Sequence, residues 1–226
     1  MLYVSVFPIW FCPNKCTYCS VPERWREDAY YLPWQKWAEA LNKLKDISLD
    51  FSGGEPFLYP GFTNLTGALK HSFAVTTSLK HMWQVLDVAG LKQCKHITCS
   101  YHSHLWNSPA EFLDRVEELS KFCSVSVSIV EGYETLKNGL RGYRVGVNKY
   151  DPPPAKIKKP RFCNAGQVCI AIDPKGDIYR CWGQLRTHSL ILGNIFTTYN
   201  LLAKPEACNL RCPHCFQEGQ YGAKIE

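Results

Sequence analysis

The stretch Cys12-Pro13-Asn14-Lys15-Cys16-Thr17-Tyr18-Cys19 holds three cysteines in a Cys-x3-Cys-x2-Cys spacing. It follows a short apolar run, Tyr3 to Pro8, that is typical of a β-strand. Four cysteines would saturate a metal centre, whereas three thiolates on a four-iron cluster leave one iron open to bind another molecule. The spacing therefore predicts a reactive iron–sulfur centre after the first strand.

A second motif, Ser52-Gly53-Gly54-Glu55-Pro56, directly follows the apolar run Ile47 to Phe51, about one βα unit later. Two glycines allow a backbone to approach a ligand closely, and the proline ends the strand. A carboxylate at this place can hold an amine. The motif therefore indicates a ligand site at the end of a second strand.

Together the two motifs, in this order and at this separation, resemble those of the radical S-adenosylmethionine (SAM) superfamily. The cluster motif is matched at Cys12, Cys16 and Cys19, and the aromatic residue before its third cysteine is matched at Tyr18. The Gly-Gly-Glu-Pro element of the family is matched at Gly53, Gly54, Glu55 and Pro56. A zinc site completed by a histidine or a distant cysteine would share the cysteine spacing, but it would not explain the second motif.

The resemblance implies a defined chemistry, in which SAM binds the open iron through its amine and carboxylate. An electron from the reduced cluster cleaves the sulfonium, and the 5′-deoxyadenosyl radical removes a hydrogen atom from the substrate. The electron would come from a donor such as flavodoxin or ferredoxin. By the same resemblance, Glu55 and the Gly53–Gly54 backbone would hold the methionyl amine, and Tyr18 would contact adenine. Candidates for the ribose and carboxylate are Thr77, Ser78 and Ser100, which alternatively cap helices that follow their strands.

The segment Cys99–His104 ends the predicted fourth strand and faces the expected cavity. Either His102 or His104 would bind substrate or move a proton there, unless the histidines only pack in the loop. A cavity-facing Cys99 would be a hydrogen donor, so His102 and Cys99 are the catalytic candidates. The alternative is that Cys99 is an ordinary buried cysteine, like Cys94 and Cys123.

Apolar runs alternate with helical patterns along the first two-thirds of the chain. Six strands are predicted at Leu2–Phe7, Ile47–Ser52, Phe73–Thr77, His96–Ser100, Val125–Val130 and Tyr143–Val147. Such alternation is typical of an α/β fold with a parallel sheet, and six βα units are too few for a closed eight-stranded barrel. We therefore expect an open, partial barrel with both motifs at the carboxyl ends of its strands, in agreement with the resemblance.

The composition changes at Asp151-Pro152-Pro153-Pro154, where three prolines stiffen the chain and exclude a central strand. We place a domain boundary there, with the partial barrel at residues 1–150 and a small cysteine-rich domain at 151–226. Within the second domain, Ile170–Ile172 and Ile178–Cys181 flank the turn Asp173–Gly176 and predict a β-hairpin. A domain with so small a hydrophobic core needs an additional stabilising cross-link, and a metal cluster is the obvious candidate.

This second domain resembles the twitch domain, the reduced form of the SPASM extension of radical SAM enzymes. The match is Cys163, twelve residues to Gly176, four more to Cys181, and a late Cys-x2-Cys. The resemblance implies one auxiliary [4Fe–4S] cluster, for which the favoured ligands are Cys163, Cys181, Cys212 and Cys215. The residues Cys169 and Cys208 compete for the same role, and a zinc ribbon in the same place is the alternative.

Composition sets the remaining expectations for this chain of 226 residues, of which 46% are hydrophobic. No apolar run is long enough to span a bilayer, and the start of the chain is too short and strand-like for a signal peptide. We therefore expect a cytoplasmic protein with no membrane partner. The twelve cysteines then favour reduced, iron-binding thiols over disulfides.

The net charge is +6, and basic residues are most closely spaced in the segment Lys156–Arg161. This run is either a solvated linker or an edge that contacts the phosphates of a nucleotide or nucleic acid. Two enzymatic functions consequently stay open. One is hydrogen abstraction from a peptide or small metabolite, leading to dehydrogenation, epimerisation or crosslinking. The other is modification of a nucleobase, free or in nucleic acid, as in viral hypermodification. A non-catalytic iron- or zinc-binding module is the third, remote possibility.

Overall fold

The structure is a computed structural model that describes residues 1–82, 91–129, 136, 139–140, 142–147, 155–202 and 206–211. In these residues, no helix has both the length and the apolar character needed to cross a membrane. The predicted ligands Cys212 and Cys215 lie outside the described residues.

Among the described residues, nine strands form one open sheet and two more form a separate pair. The strands are β1 (Leu2–Val6), β2 (Ile47–Phe51), β3 (Phe73–Thr77), β4 (Cys94–Tyr101), β5 (Ser124–Ile129), β6 (Arg144–Val147), β7 (Ala155–Cys163), β8 (Cys169–Ile172), β9 (Asp177–Tyr179), β10 (Ile191–Asn194) and β11 (Glu206–Arg211). The helices are α1 (Glu23–Arg26), α2 (Trp34–Leu41), α3 (Phe62–Ala68), α4 (Pro109–Ser120) and α5 (Trp182–Arg186).

The order of strands in the large sheet is β10-β9-β8-β1-β2-β3-β4-β5-β6. Strands β1 to β6 and β8 are parallel, whereas β9 and β10 are antiparallel to their neighbours. The predicted open α/β fold is confirmed, and each of the six predicted barrel strands is present within two residues of its expected ends. The boundary near residue 151 stays a prediction.

The predicted β-hairpin is present as β8 and β9, and it extends the large sheet. Strand β8 pairs with β1 in parallel, from Tyr3 opposite Cys169 to Val6 opposite Ile172. The basic run Lys156–Arg161 is part of β7, which pairs with β11, so its interpretation as a linker is wrong. This pairing brings Cys208 opposite Arg161.

The two faces of the large sheet differ sharply in polarity, because side chains alternate along each strand. One face carries buried apolar residues, such as Phe51, Val75 and Ile97, which pack with Trp37 of α2 and Phe112 of α4 in the main core. The opposite face carries half-buried polar side chains, which we call the polar face: Ser5, Asp50, Thr76, His96, Thr98, Ser100, Ser126 and Ser128. Helices therefore cover one side of the sheet and leave a polar side opposite.

Candidate functional site

The loop that carries the three N-terminal cysteines is shaped by Arg26. The guanidinium Nη1 of Arg26 donates to the carbonyls of Asn14 at 3.0 Å and Cys16 at 3.3 Å. In return, the backbone N–H of Cys12 donates to the carbonyl of Arg26 at 3.0 Å. The short helix α1 thus fixes the backbone around Cys12 and Cys16. Sequence reasoning missed Arg26, because nothing in its local pattern indicates a contact ten or more residues back.

The glycine motif lies directly against the chain that leads into this loop. Backbone N–H groups of Gly54 and Glu55 donate to the carbonyls of Ile9 at 3.2 Å and Phe11 at 3.0 Å. A Cβ on Gly54 would overlap the carbonyl oxygens of Trp10 and Phe11. Only glycine fits at this position, so the structure joins the two motifs through backbone contacts.

The carboxylate of Glu55 is 1% exposed and is held by two neighbours at the end of β3. Its Oε1 accepts from Thr77 Oγ1 at 2.6 Å, and its Oε2 accepts from the N–H and Oγ of Ser78 at 3.1 Å and 2.7 Å. Asn14 of the cysteine loop donates to Ser78 Oγ at 3.1 Å. These bonds connect Glu55 with the cysteine loop. The roles predicted for Thr77 and Ser78 toward SAM stay predictions, and in this structure both side chains orient Glu55.

The turn after β4 covers the cysteine loop from the other side. Tyr18 and His102 share a hydrogen bond of 2.8 Å between the phenol oxygen and Nδ1, and their rings stack at 5.6 Å. His104 Nε2 lies 3.6 Å from the sulfur of Cys16, and the rings of the two histidines are 6.1 Å apart. The structure therefore brings His102 and His104 next to the cluster motif, where they contact Tyr18 and Cys16.

Cys99 is not part of this site. It is fully buried in the main core on the helix-covered face of β4. The prediction of a cavity-facing Cys99 is wrong, because side chains alternate and Ser100, not Cys99, belongs to the polar face. Cys94 and Cys123 also pack against the main core, as the ordinary interpretation of these cysteines predicts.

The polar face holds one carboxyl group that sequence reasoning missed. Asp50 lies opposite Ser5 in β1, and burial raises its pKa to about 7, against a lowering effect of a hydrogen bond with Tyr3. Across the same face, His96 hydrogen-bonds Ser124 at 3.1 Å and Ser126 at 2.8 Å. The available signal was an acidic residue in the middle of an otherwise apolar strand pattern.

The three thiols fit an iron–sulfur cluster chemically. Burial raises the pKa of the Cys12 thiol to about 12, with smaller raising effects of Glu55, Cys19 and Cys16 and a lowering effect of the Asn14 backbone. Thiolates here consequently need a compensating cation, which a metal centre supplies. In the part of the chain that the structure describes, no three His, Cys, Asp or Glu side chains are grouped to hold one metal ion. A four-iron cluster does not need that arrangement, since each thiolate binds a different iron.

Four C-terminal cysteines lie together in a separate cluster. Cys163 and Cys169 are buried with Ala165, and Cys181 and Cys208 are half-buried against them. The predicted pair Cys163 and Cys181 is thus brought together, and both competing cysteines, Cys169 and Cys208, join it.

Comparisons with known proteins support the interpretation of the two N-terminal motifs. Residues 6–152 match the family model described as the radical SAM superfamily. A search of curated proteins found no match.

Several solved structures share the fold at low sequence identity. The structure of anSMEcpe with bound AdoMet is 15% identical with a TM-score of 0.62, covering 88% of this chain and 78% of that one. BtrN in complex with AdoMet and 2-DOIA is 15% identical with a TM-score of 0.58, covering 87% and 79%. Streptococcus suis SuiB bound to precursor peptide SuiA is 18% identical with a TM-score of 0.53, covering 88% of this chain. The match spans 63% of SuiB, less than two-thirds of its length.

Proposed function

Since this chain belongs to the radical SAM superfamily, we propose that it is an enzyme that cleaves SAM reductively and abstracts a hydrogen atom from a peptide or small polar metabolite. The observation that carries the proposal is the contact between the two motifs. Gly54 and Glu55 bond to the backbone just before Cys12, and the Glu55 carboxylate is oriented by Thr77 and Ser78. One loop supplies three thiolates, and the adjoining loop supplies an anion for an amine.

Family membership implies a [4Fe–4S] cluster and SAM as the cofactors, and bound together they supply a carbon-centred radical. In our proposal Cys12, Cys16 and Cys19 hold the cluster, and Arg26 and Asn14 keep their loop in shape. Glu55 binds the methionyl amine, because its two oxygens have about four acceptor sites and use three of them in the protein.

The positions of Tyr18 and Ser100 support the remaining predicted contacts to SAM. Tyr18 is positioned beside the cysteines by its hydrogen bond with His102, so its ring is available to contact adenine while His102 meets the substrate. The hydroxyl of Ser100 belongs to the polar face close to this turn and is proposed for the ribose or carboxylate. Flavodoxin or ferredoxin would deliver the electron.

The polar face supports the substrate class. Its hydroxyls and the Asp50 carboxyl can bond the hydroxyl, amide and amine groups of a polar substrate, which an apolar substrate lacks. Peptides and polar metabolites both carry such groups. Among the similar structures, SuiB is bound to a precursor peptide and BtrN is in complex with 2-DOIA, so we propose a peptide or a small polar metabolite as the substrate.

Two further features complete the proposal. An auxiliary cluster binds in the C-terminal, twitch-like domain that begins near residue 151. The reduced thiols favour a cytoplasmic location, because reducing compartments preserve them.

The test is SAM cleavage by anaerobically reconstituted and chemically reduced protein. We expect slow release of methionine and 5′-deoxyadenosine without substrate. Replacing Glu55 with Gln should weaken SAM binding by about tenfold or more, the value of one charge-assisted hydrogen bond, with the iron content unchanged. The matched control is Glu39→Gln on α2, an exposed glutamate paired with Lys43 at 2.8 Å. No 5′-deoxyadenosine from the parent protein would overturn the function, and parental SAM affinity in the Glu55 variant would remove Glu55 from the site.

Modification of a nucleobase is the second candidate. It is favoured by the net charge of +6 and by the basic run Lys156–Arg161, which forms part of a paired strand. A basic strand at a sheet edge can follow a phosphate backbone.

A further inference from the structure

We propose that a second four-iron cluster has four protein ligands, Cys163, Cys169, Cys181 and Cys208. This inference rests on the proposed function, which includes an auxiliary cluster. The sequence spacing favours Cys212 and Cys215 in place of Cys169 and Cys208. The geometry points to a different set, drawn from four separate elements.

The fold places these four cysteines at the ends or edges of their elements. Cys163 is the last residue of β7, Cys169 is the first residue of β8, and Cys181 directly precedes α5. Cys208 lies within β11, which pairs with β7 beside Cys163. Hydrophobic contact unites all four around Ala165. Four thiols that meet from four segments of the chain, two buried and two half-buried, are what a cluster with four thiolate ligands requires.

Arg180 ties the same four segments together. Its side chain is 1% exposed, and it donates to the carbonyls of Ala165 at 3.1 Å, Ala207 at 3.2 Å and Cys163 at 3.0 Å. These acceptors lie in, or directly beside, the segments of Cys163 and Cys208, and Arg180 itself precedes Cys181. The sulfur of Cys169 contacts the carbonyl of Arg180 at 3.7 Å. The buried guanidinium therefore holds the backbone beside Cys163 and Cys208, and the backbone carbonyl of the same arginine contacts Cys169.

The charge of Arg180 also suits a cluster. A buried guanidinium attracts negative charge placed close to it, because burial weakens the screening by water. Metal-bound thiolates would bring that negative charge into the same buried volume. The placement of Arg180 therefore favours thiolates over neutral thiols in this cluster.

Two protein groups already point toward the sulfur atoms. The backbone N–H of Ala165 lies 3.4 Å from Cys163 Sγ, and the side-chain amide of Gln184 lies 3.8 Å from Cys208 Sγ. Hydrogen bonds of this kind to cluster sulfurs tune the potential of iron–sulfur centres. The four cysteines therefore have nearby hydrogen-bond donors of the kind that surround metal-bound sulfur.

The second centre is distinct from the first. Cys169 lies opposite Tyr3 at the start of β1, whereas the loop with Cys12 follows the other end of that strand. Val6 lies three positions after Tyr3 in the strand, which is about 10 Å at the usual rise per residue. Loss of one centre should therefore leave the other in place.

The test uses the full chain with Cys12, Cys16 and Cys19 changed to Ala, so that only the second centre remains. After anaerobic reconstitution we expect about four irons and four sulfides per chain, with the absorption and reduced-state EPR signal of a four-iron cluster. Adding Cys169→Ser or Cys208→Ser should lower the iron by at least half or remove the cluster signal. Adding Cys212→Ser or Cys215→Ser should leave both unchanged. Cys123→Ser, outside both centres, is the control for loss of a cysteine.

Each outcome decides the ligand set. Iron lost with the Cys212 or Cys215 variants, but kept with the Cys169 and Cys208 variants, would overturn it. Zinc in place of iron, or no metal in the background variant with an unchanged circular dichroism spectrum, would overturn the cluster itself. Because these readouts need no SAM, failure of SAM cleavage in the parent protein would contradict only the proposed function.

Discussion

Glu55 and Ser78 are joined twice, since one carboxylate oxygen of Glu55 accepts from both the backbone N–H and the hydroxyl of Ser78. The two residues come from different βα units, so this pair connects the end of β3 to the glycine motif. Because Asn14 donates to the same hydroxyl, the pair also reaches the cysteine loop. An accurately held carboxylate next to the cluster motif is what binding of an amine requires.

Replacing Ser78 with Ala tests this connection. The buried carboxylate loses one donor and Asn14 loses an acceptor, so we expect the free energy of unfolding to fall by about 1–3 kcal/mol. Thermal or denaturant unfolding measures the change. Ser120→Ala at the exposed end of α4 is the control and should stay within about 0.5 kcal/mol of the parent. Equal stability of the two variants would contradict the importance of the Ser78 bonds.

A second prediction concerns Gly54. A methyl group there would overlap the carbonyl oxygens of Trp10 and Phe11, so Gly54→Ala must move the chain that leads to Cys12. We expect it to lower both stability and the iron bound at the first centre, measured in a variant that lacks Cys163 and Cys181. Gly67→Ala in α3 is the matched control, because its Cβ would meet nothing within 4 Å. Alanine is the better helix former by about 1 kcal/mol, so that control should be neutral or stabilising.

The fold could be predicted from the sequence to the extent that it depends on local pattern. Alternation of apolar and polar residues defines the barrel strands, and Ser108 before Pro109 marks the start of α4, where its hydroxyl accepts from Glu111 N–H. The strand β7 was not predicted, because three prolines precede it and Pro160 lies inside it. Its pairing with β11 joins segments distant in the sequence, which no local pattern reveals.

The sequence predicts candidate ligands for the site but not the residues that hold those ligands in place. Spacing identifies Cys12, Cys16, Cys19 and Glu55, because those residues follow strand ends. The bonds of Arg26 and Arg180 to backbone carbonyls depend on tertiary placement, and arginine on its own carries no such signal. The error at Cys99 has a simple cause, since its face depends on a one-residue register of β4.

A third prediction concerns Arg180. Changing it to Met removes a donor from three carbonyls, two of them in buried bonds, and removes the cation beside the four cysteines. We expect a loss of about 3 kcal/mol or more in the free energy of unfolding and loss of iron from the second centre. The control is Arg115→Met on the surface of α4, where Arg115 pairs with Glu118 at 3.2 Å. This variant should change the free energy of unfolding and the iron content little. Full iron in the Arg180 variant would contradict its positioning role.

A fourth prediction uses the pH dependence of stability. The pKa of Asp50 is raised to about 7 by burial, above its value in the unfolded chain. Between about pH 4 and pH 7 the folded protein therefore holds a proton that the unfolded chain has released, and stability falls as the pH rises through this range. The side chain at position 50 cannot ionise in Asp50→Asn, so the stability of this variant should not show this decrease with pH. The variant should therefore become more stable relative to the parent as the pH approaches neutral.

The Asp50 comparison is made by denaturant unfolding between about pH 5 and pH 8, where the two curves should diverge. Tyr3 and Cys94 interact with Asp50, so each is kept unchanged in both proteins. Asp46→Asn, just before β2, serves as the control. Parallel curves for the parent and the Asp50 variant would show that Asp50 titrates as an ordinary acid.

The last prediction separates the two substrate classes. Binding to nucleic acid would release counterions and weaken steeply with salt, and the basic residues of β7 are the expected contacts. A variant with Lys156, Lys158, Lys159 and Arg161 changed to Gln should then bind single-stranded DNA or RNA more weakly and with a shallower salt slope. Neutralising Lys36 of α2 and Lys43, two residues after the end of α2, is the control. A peptide or polar metabolite substrate predicts no binding of either nucleic acid even at low salt, measured by fluorescence anisotropy. Tight, salt-dependent binding that only the β7 variant loses would instead favour the nucleobase function.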